Sequence, residues 1–279
     1  MVPLIIVGPT ASGKSARALQ LAQDQPSTII NADSMQIYAG LPILTAQPLT
    51  WPEDAPHVLY GYRAVDHAAT AAAWAEDAVT ATHHSVKMGR RPIIVGGTGL
   101  YINTLRHGLS PIPSVPEEIR AATRALLAEI GPAALHTRLR AYDPVIAARL
   151  QPTDSQRICR AWEVWQTTGT PLSVWQQLPS QKLHDFTFEI LHVDLPKHEL
   201  DQRIWERLEM MIAQEVIDEV ADFAEQLAQR PSPLTKAVGY SELLAYVQGR
   251  TSLDDALARA AAATRQYAKR QRTWFKHQL

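Results

Sequence analysis

The sequence has few of the features that mark secreted, membrane-bound or strongly charged proteins. Cysteine occurs once among the 279 residues, at Cys159, which excludes an internal disulfide and a metal site built from cysteines and suits a reducing compartment. Neither sign of charge is in excess, because 27 Lys and Arg stand against 28 Asp and Glu, so the total predicts no general attraction to nucleic acid or lipid. Long hydrophobic runs are also missing, and the first apolar run, residues 4–7, is too short for a signal peptide or a membrane anchor. We therefore expect a cytoplasmic protein without a membrane partner, in which any basic surface is local.

A glycine-rich loop follows that first apolar run directly. Residues 8–15 read Gly-Pro-Thr-Ala-Ser-Gly-Lys-Ser and lead into a helical pattern, which is the setting of a P-loop. Its glycines let successive N–H groups point into one concavity, and the positive end of the next helix adds to the attraction for an anion. Lys14 would place a point charge on the terminal phosphate, and the Ser15 hydroxyl would take one coordination position of a Mg²⁺ ion. The identity of the diphosphate compound stays open at this point, and the residues predicted to bind it are Gly8, Pro9, Thr10, Ala11, Ser12, Gly13, Lys14 and Ser15.

The pattern after the P-loop predicts a parallel α/β sheet with flanking helices. Helix-like residues 16–25 and 70–87 alternate with strand-like residues 27–31 and 91–95, as in sheets that carry helices on both faces. Asp33 follows the second strand, and residues just past the carboxyl ends of such strands line the ligand crevice. We therefore expect Asp33 beside the phosphate site, although its residue type and position suit a helix N-cap equally well.

The third strand ends without the acidic residue that usually holds Mg²⁺ in P-loop phosphohydrolases. Residues 96–98 are Gly-Gly-Thr where such an Asp would stand, which argues against an ATPase. The two glycines would let the backbone approach a bound ligand, and Thr98 could offer its hydroxyl to that ligand. A plain strand-to-helix turn explains the same residues, so both interpretations stay open.

Strand signals then disappear, and residues 114–185 predict an all-helical insertion domain in a core formed by residues 1–113 and 186–279. Ser114 and Glu117 have the spacing of a capping box for a helix that Gly131 would close, and Asp143 and Asp154 are expected to cap later helices. After the insertion the pattern predicts a returning strand over 186–195, a long helical stretch over 196–229 and a final helix over 253–277.

Two helical faces carry clustered cations. In the insertion, Gln156, Arg157 and Arg160 fall three to four residues apart on one face, which is either solvated or in contact with phosphates, while Trp162 and Trp165 are expected to be core residues. The final helix carries a basic ridge, which is either ordinary solvent-exposed surface or, next to a diphosphate site and a helical arm, a contact for a nucleic-acid backbone. That ridge consists of Arg265, Lys269, Arg272 and Lys276.

Taken together, these stretches resemble the tRNA dimethylallyltransferase family, also called tRNA isopentenylpyrophosphate transferases. The resemblance spans nearly the whole chain in the family's order, and its set of motifs is far more specific than the P-loop alone. The matching segments are residues 8–15, 33–38, 95–101, 108–113, 154–161, 238–242 and 264–271.

The resemblance implies a reaction and a set of roles. A dimethylallyl group would pass from dimethylallyl diphosphate to N6 of adenosine 37 in the tRNA anticodon loop, with pyrophosphate leaving and Mg²⁺ required. Asp33 would remove the proton from N6, Lys14 and Arg203 would stabilise the leaving group, and Thr98 would help to hold the adenine or the carboxylate. A monomer is expected, with dimethylallyl diphosphate and tRNA as its partners. The residues implied to contact tRNA are Asp33, Ser34, Met35, Gln36, Thr98, Arg120, Gln156, Arg157, Ile158, Cys159 and Arg160.

Two positions depart from the family pattern, and three other functions compete. Gln47 stands where the family usually has a lysine, so one cationic contact is missing, and Ala69-Thr70 stands where it often has Tyr-Ser. The alternatives are a prenyltransferase acting on a free adenine nucleotide, a P-loop small-molecule kinase and an RNA-binding module with an inactive P-loop. The helical insertion and the basic ridge favour tRNA over a free nucleotide.

Overall fold

The computed structural model describes residues 1–228 and 230–279, and the chain forms two compact units. Unit 1 contains Met1–Arg106 and Leu183–Leu279, and unit 2 is the intervening segment, His107–Lys182. Unit 2 includes most of the stretch for which the sequence predicts helices alone. Within the described ranges, no helix has the length and apolar character needed to cross a membrane.

Unit 1 is built on a parallel sheet. The strands lie in the order β3-β2-β4-β1-β5, and every neighbouring pair is parallel, so the predicted α/β class with a P-loop NTPase-like sheet is confirmed. Because all strands point the same way, the residues that follow β1, β2 and β4 meet at one edge of the sheet. In the described part of the chain the strands are β1 (Leu4–Val7), β2 (Ser27–Asn31), β3 (His57–Val58), β4 (Arg91–Gly96) and β5 (Glu189–His192).

Side chains of the central strands alternate between two apolar layers. Ile5 and Val7 belong to the larger core cluster of unit 1, whereas Leu4 and Ile6 belong to a second cluster that includes Ala18 of the first helix. Both faces of β1 are therefore buried, which is why this strand is a continuous apolar run rather than an alternating one.

The helices account for most of the remaining described chain. The predicted helical stretch over 196–229 is wrong in one respect, because it is two helices separated at Glu215, whose φ of 66° turns the chain. Gln229, at the end of that stretch, lies outside the described residues. The helices are α1 (Lys14–Asp24), α2 (Pro42–Thr45), α3 (Ala71–Lys87), α4 (Gly99–His107), α5 (Glu117–Leu139), α6 (Pro144–Arg149), α7 (Ser155–Thr168), α8 (Leu172–Trp175), α9 (Lys197–Ala213), α10 (Val216–Leu227), α11 (Tyr240–Val247) and α12 (Leu253–Gln278).

The start of α5 in unit 2 corrects one prediction. Pro116 is the N-cap residue and no side chain caps the helix, so the capping box expected between Ser114 and Glu117 is wrong. The reason is that Pro116 disfavours helical backbone in the residue before it, so the helix cannot begin as early as that spacing requires. Gly131, with φ 75° and ψ 166°, ends the first of two helical segments that are joined in α5, as predicted, and Pro132 begins the second segment.

The later helices of unit 2 begin as predicted and surround a core of their own. Asp143 accepts the N–H of Ile146 at the start of α6, and Asp154 accepts the N–H of Arg157 at the start of α7. The unit 2 core contains Leu135, Leu139, Ile158 and Trp162, with Trp165 packed against it, so both tryptophans are core residues as expected.

The chain leaves unit 1 and returns to it at neighbouring points. Nε2 of His184 lies 2.6 Å from the carbonyl oxygen of Leu105, and Nδ1 accepts the N–H of Phe186 at 2.9 Å. Since Nδ1 is the acceptor, Nε2 carries the proton and donates it to Leu105. This ring therefore joins, within unit 1, the segment before residue 107 to the segment after residue 182.

Candidate active site

Close backbone approaches shape the P-loop between β1 and α1. Gly13 has φ 89°, which a side chain would strain, and a Cβ on Gly13 would lie 2.8 Å from Nη1 of Arg203. A Cβ on Gly8 would lie 2.0 Å from the carbonyl oxygen of Val193, just past β5. Nζ of Lys14 donates to the carbonyl oxygen of Pro9 at 2.6 Å, so the lysine is folded back over the loop. The two glycines are thus required because neighbouring protein atoms enclose the loop.

Asp33 lies in a turn after β2 that is fixed from several sides. Asn31 accepts the N–H of Asp33 at 2.9 Å and donates to its carbonyl oxygen at 3.2 Å. The Asp33 carboxylate accepts the N–H of Met35 at 2.9 Å, which forms an Asx turn, and a turn rather than a helix follows. The helix N-cap interpretation of Asp33 is therefore wrong. Oγ1 of Thr98 accepts the N–H of Ser34 at 2.9 Å and so braces the same turn.

Two cavities meet at Asp33. The first, of about 570 Å³, is bounded by the P-loop and includes Lys14, Ser15 and Arg203 in its lining. The second, of about 270 Å³, is mainly apolar, and its lining includes Met35, Leu44, Ile204, Leu208, Met211 and Tyr267. Four residues line both cavities: Thr10, Asp33, Thr45 and Arg207. The carboxylate of Asp33 and the guanidinium of Arg207 therefore lie where the first cavity adjoins the second.

Burial shifts the protonation of the charged groups around this junction. The pKa of Lys14 is lowered to about 8, chiefly because protein atoms enclose its ammonium group, while Asp33 raises this pKa and Arg207 lowers it. The lysine residue as a whole is only half-buried, but the charged end decides its protonation. Burial also lowers the pKa of Arg207, against the opposing effect of Asp33, and raises the pKa of Tyr60 and Tyr267. Both cations are poorly solvated and would be stabilised by an anionic ligand.

The glycines after β4 make room for α12. A Cβ on Gly97 would lie 2.1 Å from Nε2 of Gln271, and a Cβ on Gly99 would lie 2.3 Å from the ring of Trp274. The Tyr267 side chain interacts with those of Thr98 and Gln271, and both interactions lower its pKa against the larger effect of burial. Gly97 lines the first cavity, but the space that its missing Cβ leaves is filled by α12 rather than by a ligand.

The segment around α2 forms the rim of both cavities and is held in place by amides and a carboxylate. Nε2 of Gln36 donates to the carbonyl oxygens of Thr45 and Ala46, at 2.8 and 2.9 Å. Glu219 accepts the N–H groups of Ile43 and Leu44, at 2.7 and 2.9 Å. The positive N-terminal end of α2 therefore contacts the half-buried carboxylate of Glu219. Burial raises the pKa of this carboxyl group.

Gln47, the residue that departs from the family pattern, has a structural contact in this rim. Its Nε2 donates to the carbonyl oxygen of Tyr38 at 2.7 Å. The amide ties the rim to the preceding turn at the position where a lysine would present a charge.

The structure brings only part of the predicted site to the cavities. Gln36 and Arg203 line the first cavity, and Ser34 and Met35 line the second. Thr98 is in the lining of neither and acts on the Asp33 turn instead. From the predicted diphosphate-binding set, the lining residues are Thr10, Ala11, Gly13, Lys14 and Ser15.

The predicted tRNA contacts at the start of α7 in unit 2 differ in accessibility. Ile158 is fully buried, so its side chain is not free to contact an RNA. Cys159 is half-buried, and burial raises the pKa of its thiol. Arg157 is 77% exposed and lies 3.6 Å from Asp154, whereas Arg160 is half-buried.

Two further predicted RNA contacts are accessible. Gln156 is exposed on α7, and Arg120 on α5 lies 3.9 Å from Glu117 with 43% of its side chain exposed.

The predicted basic ridge on α12 includes one cation that is already paired. Arg272 lies 2.6 Å from Asp194 and also donates to the carbonyl oxygen of Leu195. Lys269 and Lys276 are exposed, and Arg265 is half-buried. Arg272 therefore stabilises unit 1, and the ridge available to a ligand is smaller than predicted.

Sequence reasoning missed three residues that shape the site. Arg207 lines both cavities, and its only signal in the sequence is its place four residues after Arg203. Asn31 offered one signal, an amide at the end of an apolar strand. Gln271 offered none, because a glutamine in a basic helix is typical of exposed surface, whereas here it is buried.

The P-loop suits a Mg²⁺ ion that takes few of its ligands from the protein. Among the described residues, no group of three or more His, Cys, Asp or Glu could hold a metal ion. Ser15 lines the first cavity, whereas Ser12, whose buried hydroxyl has no hydrogen-bond partner in the described chain, does not. A single serine hydroxyl fits a Mg²⁺ ion whose other ligands are water and phosphate oxygens rather than a protein cage.

Comparisons with known proteins agree with this geometry. A family model described as IPP transferase matches residues 36–278. The chain is 48% identical over 276 residues to a tRNA dimethylallyltransferase of Granulibacter bethesdensis, covering 98% of this chain and 86% of that protein. It is 45% identical over 279 residues to the tRNA dimethylallyltransferase of a Chelativorans species, covering 99% and 95%.

The chain is also similar to solved structures of transferases with the same kind of activity. A tRNA isopentenylpyrophosphate transferase from Staphylococcus epidermidis aligns with a TM-score of 0.66 and 30% identity, over 99% of this chain and 91% of that one. A eukaryotic dimethylallyltransferase acting on tRNA aligns with a TM-score of 0.82 and 27% identity, over 98% and 69%.

Proposed function

The chain belongs to the tRNA dimethylallyltransferase family, and we propose that it transfers a dimethylallyl group from dimethylallyl diphosphate to N6 of adenosine 37 in a tRNA. The observation that carries this proposal is the place of Asp33, which lines both the P-loop cavity and the apolar cavity beside it. Phosphate hydrolysis has no need of a carboxylate between a phosphate site and an apolar chamber. A transferase needs one there, because the attacking amine must lose a proton as the new bond forms.

The diphosphate end of the substrate would occupy the first cavity. As the bond between the allylic carbon C1 and oxygen breaks, negative charge grows on pyrophosphate, and preorganised cations stabilise that charge. Lys14, Arg203 and Arg207 all line this cavity, and Lys14 would exchange its bond to Pro9 for one to a phosphate oxygen. When bound, Mg²⁺ would supply further neutralisation of the leaving group, and Ser15 is the residue that would hold it.

Asp33 would act on the nucleophile. The N6 amine of adenine is a poor nucleophile because its lone pair is delocalised into the ring. As the bond from N6 to C1 forms and the bond from C1 to oxygen breaks, pyrophosphate leaves with the bonding electrons and the N6 proton passes to the Asp33 carboxylate. The hydrogen bond from Met35 N–H to Oδ1 fixes the orientation of this carboxylate.

The target adenosine must leave its stack to reach a site inside the protein, and a loop adenosine is extruded more easily than a paired one. Met35, Leu44 and Tyr267 in the second cavity offer apolar and aromatic surface to a base. A tRNA substrate implies a cytoplasmic location, and a monomer suffices because one chain contains both cavities. The residues proposed to contact the rest of the tRNA are Arg120, Gln156, Arg157, Arg160, Arg265, Lys269 and Lys276.

Incubation of the purified chain with labelled dimethylallyl diphosphate and an anticodon stem-loop tests the proposal. Label should enter the RNA, and a matched stem-loop with guanosine at the target position should stay unlabelled. Asp33→Asn keeps the size of the side chain and an acceptor for Met35, so both substrates should still bind. Turnover should fall by about 10²–10⁴-fold, since the variant cannot take up the proton.

Other outcomes would identify the competing functions. ADP formation from ATP without labelled RNA would indicate a kinase, and labelling of free AMP as fast as tRNA would indicate a nucleotide prenyltransferase. An RNA-binding module would bind the stem-loop without labelling it, and Asp33→Asn would change nothing measurable.

A further inference from the structure

Gln271 on α12 joins two backbone segments that face the first cavity. Its Oε1 accepts the N–H of Thr10 at 2.8 Å, and its Nε2 donates to the carbonyl oxygen of Gly97 at 2.9 Å. Thr10 belongs to the P-loop, and Gly97 follows β4. The residue is only 5% exposed, so water competes little for these two bonds.

The surroundings of Gln271 are built for an uncharged amide. The N–H of Thr10 needs an acceptor and the carbonyl oxygen of Gly97 needs a donor. The side-chain amide of glutamine provides both, whereas an ionised carboxylate provides only acceptors. A Cβ on Gly97 would lie 2.1 Å from Nε2, so the neighbouring glycine is required for the contact.

The same helix also reaches the Asp33 turn. The Tyr267 side chain, one turn before Gln271, interacts with those of Thr98 and Gln271, which lower its pKa against the larger effect of burial, and Thr98 accepts the N–H of Ser34 beside Asp33. Two neighbouring side chains of α12, Gln271 and Tyr267, thereby connect the P-loop to the turn that contains Asp33.

We propose that Gln271 is a positioning residue that holds the P-loop in the arrangement that binds a diphosphate. Without the two hydrogen bonds of Gln271, the P-loop backbone would adopt several conformations. Diphosphate binding would then have to select one of them, which lowers the affinity. The inference deepens the proposed function and rests on it for the identity of the substrate. Diphosphate binding can nevertheless be measured without any transfer reaction.

Isothermal titration of the full chain with inorganic pyrophosphate and Mg²⁺ tests this inference. Gln271→Met keeps the length of the side chain but removes both hydrogen bonds, so Kd should rise about tenfold. The KM for dimethylallyl diphosphate should rise by a similar factor, with a smaller change in kcat, since the variant touches no reacting atom. The matched control is Gln266→Met, which changes an exposed glutamine of the same helix and should leave Kd unchanged.

A second variant keeps the test decisive if Gln271→Met fails to fold. Gln271→Glu retains the shape and the acceptor for Thr10, but it loses the donor to Gly97 and adds a negative charge beside the diphosphate, so Kd should again rise. Binding by folded Gln271→Glu within about twofold of the parent, or equal Kd values for Gln271→Met and the parent, would overturn the inference. Absence of prenyl transfer by the parent, with pyrophosphate binding sensitive to Gln271, would overturn the proposed function alone.

Discussion

At the scale of single residues, Lys14 links the charge of the site to pH. Its pKa of about 8 in the free protein results chiefly from burial, and a bound diphosphate would stabilise the charged form and raise the pKa. Below about pH 8 the lysine is already charged, so its contribution to diphosphate affinity should be constant. Above that pH the free protein loses the proton, binding must take one up, and affinity should fall by at most about tenfold per pH unit.

The comparison of the parent with Lys14→Arg measures this effect. Arginine stays charged throughout the range, so the ratio of the two pyrophosphate dissociation constants should be flat below pH 8 and change steadily above it. Titrations at several pH values in one buffer series give the ratio directly. A ratio that stays constant up to pH 10 would show that Lys14 does not titrate in the free protein.

Site residues could be predicted from the sequence where their role depends on neighbouring residues of the chain, but not where it depends on contacts with distant residues. The P-loop and the placement of Asp33 after β2 follow from spacing and strand direction. The role of Gly97 could not be predicted, because the glycine accommodates a side chain from the far end of the chain, and the packing of α12 becomes visible only in the folded protein.

At the scale of elements, α12 combines two kinds of cation. Arg272 is paired with Asp194, whereas Arg265, Lys269 and Lys276 have no ion pair with an acidic side chain in the described chain. If the ridge contacts RNA phosphates, replacing the latter three by glutamine should weaken tRNA binding. The slope of log K against log salt should become shallower by roughly 0.7–0.9 for each phosphate that the variant no longer neutralises.

Filter binding or fluorescence anisotropy over a range of salt concentrations measures that slope. Arg272→Gln is the matched control, since it removes a cation of the same helix that the protein itself neutralises, and the slope should stay as in the parent. An unchanged slope for the triple variant would exclude the ridge from the RNA interface.

Elements were predictable to the extent that local signals define their ends. Asp143, Asp154 and the alternation of helix and strand gave correct elements. The break between α9 and α10 was not predictable, because Glu215 is an ordinary helix former, although its φ here is 66°. The start of α5 was predictable in principle, since Pro116 outweighs the capping-box spacing.

At the scale of the whole molecule, the division into two units separates two proposed tasks. Both cavities are lined by residues of unit 1, while four of the proposed RNA contacts belong to unit 2. Replacing residues 107–182 by a flexible linker of about six residues should therefore leave pyrophosphate binding intact. Affinity for the stem-loop should fall, because the RNA-binding side chains on α5 and α7 are removed.

The linker can be short because Leu105 and His184 are already in hydrogen-bond contact. Circular dichroism would establish that the shortened chain folds, and titrations with pyrophosphate and with the stem-loop would supply the affinities. Loss of pyrophosphate binding by a folded shortened chain would show that unit 2 supports the phosphate site, and unchanged RNA affinity would remove unit 2 from recognition.

The contact between His184 and Leu105 also bears on how such a chain could arise. Because departure and return lie side by side, acquiring or exchanging the helical segment leaves the connectivity of the sheet unaltered. A segment of different length or sequence can therefore replace residues 107–182 without a rearrangement of the strands, because the two chain ends that it must join are held together within unit 1.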